Sequence, residues 1–267
     1  MPINLAIAGA AGRMGRRMIA IAASDPQVAV VAALEAESSN ALGSDAGQLA
    51  GLDPTGVLVT DRCDVEFDVL VDFSLPEGTT RWLDVCRQAK RPIVIGATGH
   101  DDAQLQQIRE AAREIALLKA PNMSVGVNVL LRLARQLGGA LDAAYDVEIT
   151  EAHHRFKADA PSGTALALAE AVRQGRQVAA SIDQPLVFGR HGQTGQRPSG
   201  QIGMHSLRLG DTVGEHAVSF GTLGETVTIS HSAHSRDTFA AGALRAAKWI
   251  VGRPAGLYDM QDVLFGP

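Results

Sequence analysis

Apolar residues along this chain fall into two rhythms. Through the first half, short unbroken apolar runs alternate with stretches of helical period. The runs predict strands at 3–8, 28–34, 69–73, 92–95 and 117–119, and the stretches between them predict helices at 13–24, near 79–88 and at 102–114. Strands alternating with helices imply a parallel sheet with right-handed crossovers. From about residue 125 the style changes. A helical pattern runs to about residue 141, and the segment after it alternates. Tyr145, Val147 and Ile149 share one face and Asp146, Glu148 and Thr150 the other, as in a half-buried strand. Ser162 then stands as a plausible N-cap before the helix-forming run S-G-T-A-L-A-L-A-E-A-V-R. Beyond Arg176, apolar runs at 186–188, 204–209, 213–220 and 226–231 are separated by glycine and polar turns, which predicts a mostly antiparallel sheet. A last helix is expected at 235–251, and the tail G-L-Y-D-M-Q-D-V-L is expected to pack back on the first domain.

The first strand runs straight into G-A-A-G-R-M-G, with Gly9, Gly12 and Gly15. In a dinucleotide-binding turn the first glycine permits the tight turn and the second lets backbone approach a pyrophosphate. The third allows helix to pack closely on strand. Glu35 ends the second strand about twenty residues past Gly15, where a carboxylate accepts hydrogen bonds from an adenosine ribose. The spacing is G-x-x-G-x-x-G rather than G-x-G-x-x-G, and the strand before, helix after and acid beyond carry the reading. Ligands of such sheets gather beyond the C-terminal strand ends. Phe73, Ser74, Gly96, Ala97, Thr98, Ala120, Pro121 and Asn122 fall there. The expected fold class is therefore α/β: a Rossmann-like parallel-sheet domain, 1–124 completed by 235–267, plus a second α+β domain, 125–234, with a mostly antiparallel sheet.

Composition narrows the classes. A chain of 267 residues with 46% hydrophobic and 20% charged residues is that of a soluble globular protein. Its net charge of -5 argues against nucleic acid as a partner. Cys63 and Cys86 form no metal-ligand pattern and fit a reduced cytoplasm. The start M-P-I-N-L-A-I-A-G-A lacks a basic n-region, and its apolar run is too short for a signal peptide or a membrane span. The expectation is a cytoplasmic protein with no membrane contact. The Gly-rich stretch 192–203 is long for a connector, and it reads equally as a floppy loop or as a mobile lid or interface arm.

The densest chemistry lies in E-A-H-H-R-F-K-A-D-A-P-S-G-T, residues 151–164. Two imidazoles and an ammonium sit on a loop before the amides of Gly163 and Thr164. A helix start offers N–H donors and a positive dipole end to a small carboxylate. A zinc site fits poorly, because adjacent His153 and His154 in extended chain point to opposite sides and no spaced Cys/His set accompanies them. No metal is expected.

In this order, G-A-A-G-R-M-G, V-I-G-A-T-G, N-M-S-V-G-V-N and E-A-H-H-R-F-K-A-D-A-P-S-G-T resemble the dihydrodipicolinate reductase (4-hydroxy-tetrahydrodipicolinate reductase) family of lysine and diaminopimelate synthesis. G-D-T-V-G-E-H and S-R-D-T-F-A-A-G-A extend the likeness over nearly the whole chain. The resemblance implies an NAD(P)H-dependent reductase, homotetrameric through the sheets of its second domain. It implies His153 as proton donor, with Lys157 assisting catalysis and binding substrate charge. His154, Gly163 and Thr164 are implied as holders of the carboxylates of a cyclic dicarboxylate. The cofactor is expected on Gly9, Ala10, Ala11, Gly12, Arg13, Met14, Glu35, Gly96, Ala97, Thr98, Ala120, Pro121, Asn122 and Met123.

Two departures bear on the cofactor. The residue after the ribose-binding acid, often basic in the family, is Ala36 here, and the arginine common in the D-F-x-x-P-E-G turn is Leu75. Both favour NADH as at least as good a donor as NADPH, with Arg13 and Arg16 as the cations able to compensate. Phe156 replaces a further histidine of some relatives, with no role attached. A non-catalytic dinucleotide sensor would not need His153 and Lys157 together. A reductase of a semialdehyde or amino acid would not need a second anion site at Gly163 and Thr164.

Overall fold

The computed structural model describes residues 1–177 and 184–266. The chain divides into two compact units, Met1–Val125 with Arg236–Pro267, and Gly126–Ser235. In chain order the first unit supplies β1 (Ile3–Ala8), α1 (Arg13–Ala22), β2 (Val28–Leu34), α2 (Ala46–Leu49), β3 (Val59–Thr60), β4 (Val69–Asp72), α3 (Pro76–Ala89), β5 (Ile93–Ile95), α4 (Asp102–Ala111) and β6 (Ala116–Lys119). Then come α5 (Val125–Ala140), β7 (Asp146–His153), α6 (Gly163–Gln177), β8 (Leu186–Phe188), β9 (Ile202–Arg208), β10 (Gly214–Thr222) and β11 (Glu225–Ala233). The chain returns to the first unit with α7 (Asp237–Ile250), β12 (Gly256–Tyr258) and α8 (Met260–Phe265).

The first sheet has seven strands in the order β12-β6-β5-β4-β1-β2-β3, every pairing parallel. The strand order reverses between β1 and β4, the switch point at which such sheets open a crevice. Alternation along the strands splits the core in two. Leu5, Ile7, Val71 and Leu118 pack with Met18 of α1 and with Ala243, Leu244 and Ile250 of α7. Ala6, Ala8, Leu70 and Leu117 pack with Trp82, Leu83 and Cys86 of α3 and Ile108 of α4. Covering both faces is what allows strands to be apolar throughout. The helix expected near 79–88 starts earlier because Pro76 sits in its first turn, where a missing N–H costs nothing. The short α2 and β3 were not anticipated, and β12 extends the sheet beyond β6.

The second sheet has the order β11-β10-β7-β9-β8. The long β10 ladders to β11 and β7 are antiparallel, whereas β9 runs parallel to both β7 and β8. The parallel part has a physical cause. Helix α6 intervenes between β7 and the later strands, and a helical crossover brings the chain back in the same direction. Val147, Ile149, Met204, Val218 and Phe220 pack on Leu130 and Ala134 of α5 and on Leu168 and Val172 of α6. The segment between β8 and β9 is pinned: Arg197 donates to Asp146 and Glu148, and Arg190 donates to Glu148. No helix among the described residues is long and apolar enough to cross a membrane.

Candidate active site

Strand β7 carries its apolar phase one step too far for a simple core strand. Val147 and Ile149 are buried, and the next residue on that face is Glu151, only 1% exposed. A buried carboxylate needs partners, and Glu151 has them on every side. Arg208 at the end of β9 grips it with two nitrogens, each at 2.9 Å. His153 Nδ1 lies 2.5 Å from Oε2, and Ser162 N donates to Oε1 at 3.3 Å. Burial alone would raise this carboxyl, but hydrogen bonds from Arg208, His153 and Ser206 outweigh it and hold the pKa at about 2. Removing Arg208 would leave a buried charge uncompensated, at a cost of about 3–5 kcal/mol.

Glu151 thus joins the predicted His153 to the start of α6. On one side it fixes the His153 ring through Nδ1, which leaves Nε2 beside Gly214, where an added Cβ would come within 3.2 Å. On the other it holds Ser162, whose hydroxyl caps α6 by accepting from Ala165 N at 3.2 Å. Gly163 follows, exposed and with open space around its α-carbon, and then Thr164. His153 lies below its ordinary pKa, first through burial, with Glu151 pulling the other way and Lys157 and Arg208 adding to the fall.

A further imidazole completes the cluster. His216 on β10 meets His153 edge to face at 5.2 Å, and its Nε2 pairs with Ser162 Oγ at 3.0 Å. Burial and the neighbouring His153 push its pKa down to about 4, so it is neutral near pH 7. Lys157 donates to Asp159 at 2.8 and 2.9 Å, and its backbone N–H turns back to His154 O. His154 faces Phe156, ring centroids 6.2 Å apart, with Nδ1 buried and unbonded. Ala160–Pro161 is a cis peptide. Glu151, Arg208 and His216 were not anticipated as functional residues. Glu151 and His216 had a signal, a polar side chain in phase with the buried residues of an alternating strand; Arg208 had none.

In the first unit the glycine loop leaves β1 and enters α1. Gly9 has φ +73°, and a Cβ there would meet Phe73 O at 2.6 Å; one on Gly15 would meet Gly9 O at 2.2 Å. Gly12 is the N-cap of α1, and Arg13 and Met14 open the helix, Arg13 exposed and Met14 packed on the core. Ala10 N donates to Leu34 O, and Ala11 N donates to Glu35 Oε1 at 2.8 Å, so the acid at the end of β2 is tied to the loop. Arg16 folds back onto Ala11 O at 2.7 Å.

Beside this loop lies a cavity of about 500 Å³ lined by Gly9, Gly12, Glu35, Ala36, Glu37, Phe73, Ser74, Leu75, Glu77, Gly78, Arg81 and Trp82. Its floor at β4 rests on Asp72, fully buried, which accepts from Ser74 N at 2.8 Å and from the hydroxyls of Ser74 and Thr79. Gly96 gives room to the Phe73 ring, which a Cβ would strike at 2.3 Å. Ala97 is buried and Thr98 exposed. At the end of β6, Ala120 N donates to Ile95 O, Pro121 follows, and Asn122 accepts from Ser124 N at 2.9 Å. Met123 is buried, and its carbonyl touches α7 where Gly242 has no side chain. The cavity walls reach from β1 and β2 to β4; the Gly96–Thr98 and Ala120–Met123 segments lie further along the same edge.

Comparison with known proteins shows the family. The sequence matches the family description "Dihydrodipicolinate reductase, N-terminus" over residues 3–123 and "Dihydrodipicolinate reductase, C-terminus" over residues 126–264. The chain belongs to the dihydrodipicolinate reductase family. It is an NAD(P)H-dependent oxidoreductase that reduces dihydrodipicolinate in lysine biosynthesis. Among solved structures it is similar to dipicolinate-bound dihydrodipicolinate reductase from Paenisporosarcina sp., with 25% identity and a TM-score of 0.77 over 99% of this chain and 100% of that one. Aspartate semialdehyde dehydrogenase II from Vibrio cholerae shares the fold at 11% identity, TM-score 0.56, over 94% of this chain and 99% of that one. A myo-inositol dehydrogenase from Corynebacterium glutamicum shares it at 16% identity, TM-score 0.55, over 92% and 87%.

Proposed function

We propose that His153 donates the proton that completes the reduction and that Lys157 assists it and binds substrate charge. His154, Gly163 and Thr164 hold the carboxylates of a cyclic dicarboxylate. The observation that carries this reading is Glu151, which ties the His153 ring to the start of α6 through Ser162. Hydride arriving at an imine builds electron density that a proton must discharge, and an imidazole is suited to deliver it near neutral pH. With Nδ1 committed to Glu151, Nε2 is the nitrogen that gives up the proton. Asp159, 65% exposed, holds Lys157 only weakly, so a substrate carboxylate can take its place. The dipicolinate in the Paenisporosarcina relative is a ligand of this kind.

The cofactor half consists of Gly9–Met14, Glu35, Gly96–Thr98 and Ala120–Met123. The side-chain-free surface at Gly9 and Gly12 and the Glu35 carboxylate fit a dinucleotide, which supplies the hydride when bound. NADH serves at least as well as NADPH. Ala36 and Leu75 bring no charge to the cavity, while Glu35, Glu37 and Glu77 line it. Arg81 is the arginine on its wall, and its guanidinium donates to Asp61 O and lies over Trp82 at 4.9 Å. The protein acts in the cytoplasm as a homotetramer formed through the second sheet, where exposed Phe188, Leu207 and Leu223 offer apolar surface.

The test is a steady-state assay coupled to a synthase that makes the cyclic imine, run with each cofactor in turn and with pyridine-2,6-dicarboxylate as inhibitor. Turnover with NADH at least equal to that with NADPH, and competitive inhibition, are expected. A strong NADPH preference overturns the cofactor assignment, and absence of competition overturns the dicarboxylate site.

A further inference from the structure

A general acid must hold its proton before hydride arrives, and the surroundings of His153 oppose that. The side chain is 13% exposed. Facing it are Glu151 on its own strand, Arg208 on β9, neutral His216 on β10, and Lys157 with its partner Asp159 on the loop. The one buried carboxylate, Glu151, is already neutralised by both nitrogens of Arg208. Asp159 is mostly in water and offsets Lys157 incompletely. An imidazolium here would be a third cation beside two others, in a place where water screens them poorly.

We propose that the dicarboxylate itself charges His153: as its two negative groups settle beside Lys157 and the start of α6, one proton passes from solvent to Nε2. This rests on the placement of the dicarboxylate at His154, Lys157, Gly163 and Thr164. The balance is simple. Nδ1 keeps its hydrogen on Glu151, the Nε2 lone pair gains one proton, and nothing is oxidised or reduced on binding. During turnover that proton goes to the substrate and the ring returns to neutral. The acid is therefore armed only when its target is in place, and the substrate-free protein carries no imidazolium at this position near pH 7.

The sign follows from linkage. Binding raises the pKa of His153 above its substrate-free value, so uptake is confined to the window between the two. There Kd for the dicarboxylate weakens by up to about tenfold per pH unit as pH rises. The experiment is calorimetric titration of the full chain, saturated with NADH, with pyridine-2,6-dicarboxylate between about pH 6 and 9. It is repeated in two buffers of different ionisation enthalpy. Carboxyl groups are ionised throughout that range, so the ligand contributes no proton change. Uptake approaching one proton per site is expected near neutrality. His153→Gln, its folding checked by NADH binding, should bind the ligand without uptake. Binding with no uptake anywhere in the range overturns the proposal, and so does uptake that persists in His153→Gln. Failure of the wild-type chain to bind the dicarboxylate, with NADH binding intact, instead sinks the placement of the ligand. Should His153→Gln not fold, isotope-labelled wild-type protein decides the matter. With its resonances assigned by position, His153 must shift its titration midpoint upward on adding the dicarboxylate, and no upward shift at His153 overturns the proposal.

Discussion

The glycine loop of the first unit and the β7–α6 segment of the second present opposite materials. The loop is backbone: Gly9 and Gly15 are places where a side chain cannot fit, and the acid that touches the loop, Glu35, is bonded to an amide. The β7–α6 segment is side chains: Glu151, Arg208, His153 and His216 hold one another in a network closed by Ser162. Backbone donors have fixed charge and direction, so a surface built from them does not respond to pH. A network of titratable groups does respond, and each member depends on the protonation of the next. The proposed roles, gripping a cofactor and moving a proton, call for these two materials respectively.

The largest effect that can break this contrast is expected at His153. His153→Ala should lower kcat by roughly 10²–10⁴-fold, the span for loss of a positioned acid, with NADH affinity, measured by fluorescence titration, nearly unchanged. If His153→Ala turns over normally while His154→Ala does not, the two histidines have exchanged roles. Gly15→Ala probes the other material. Its Cβ would fall 2.2 Å from Gly9 O, and forcing the backbone apart should cost about 1–3 kcal/mol of stability in chemical denaturation. NADH affinity should fall with it, while the pH profile of kcat keeps its shape. An unchanged Kd would mean that the loop is not shaped for the cofactor. The smallest effect sharpens the comparison by adding a charge to the backbone-built site. Ala36→Arg should shift kcat/KM toward NADPH by roughly tenfold, about 1.4 kcal/mol, because a guanidinium can pair with the 2'-phosphate that Glu35 repels. A parent enzyme that already favours NADPH strongly would show that Arg13, Arg16 or Arg81 supplies that charge.

The backbone-built half was the more legible in the sequence, for a physical reason. Gly9, Gly12 and Gly15 announce a shape locally, and β1, α1 and β2 follow one another within residues 3–34, so neighbours in sequence are neighbours in space. In the second unit His153, Lys157 and the Ser162 cap were legible because they share one segment. Arg208 and His216 reach Glu151 and Ser162 across sequence separations of 57 and 54 residues. No local pattern encodes such a pairing. The parallel placement of β9 was missed likewise, since apolar runs show strands but not their direction. The α2 and β3 elements, of four and two residues, are too short to show a period.

The discontinuity of the first unit bears on how the protein is made. Its core includes Ala240, Ala243, Leu244, Ala246, Ala247 and Ile250 of α7, and the Met123 carbonyl rests where Gly242 lacks a side chain. Those residues leave the ribosome more than a hundred positions after Met123. Residues 126–235, being contiguous, can close their own core first. Such a topology runs against the usual N-to-C order of domain folding. The nascent nucleotide-binding sheet has one face covered by α1 alone until α7 and α8 emerge, and an interrupted synthesis yields a chain that lacks that cover.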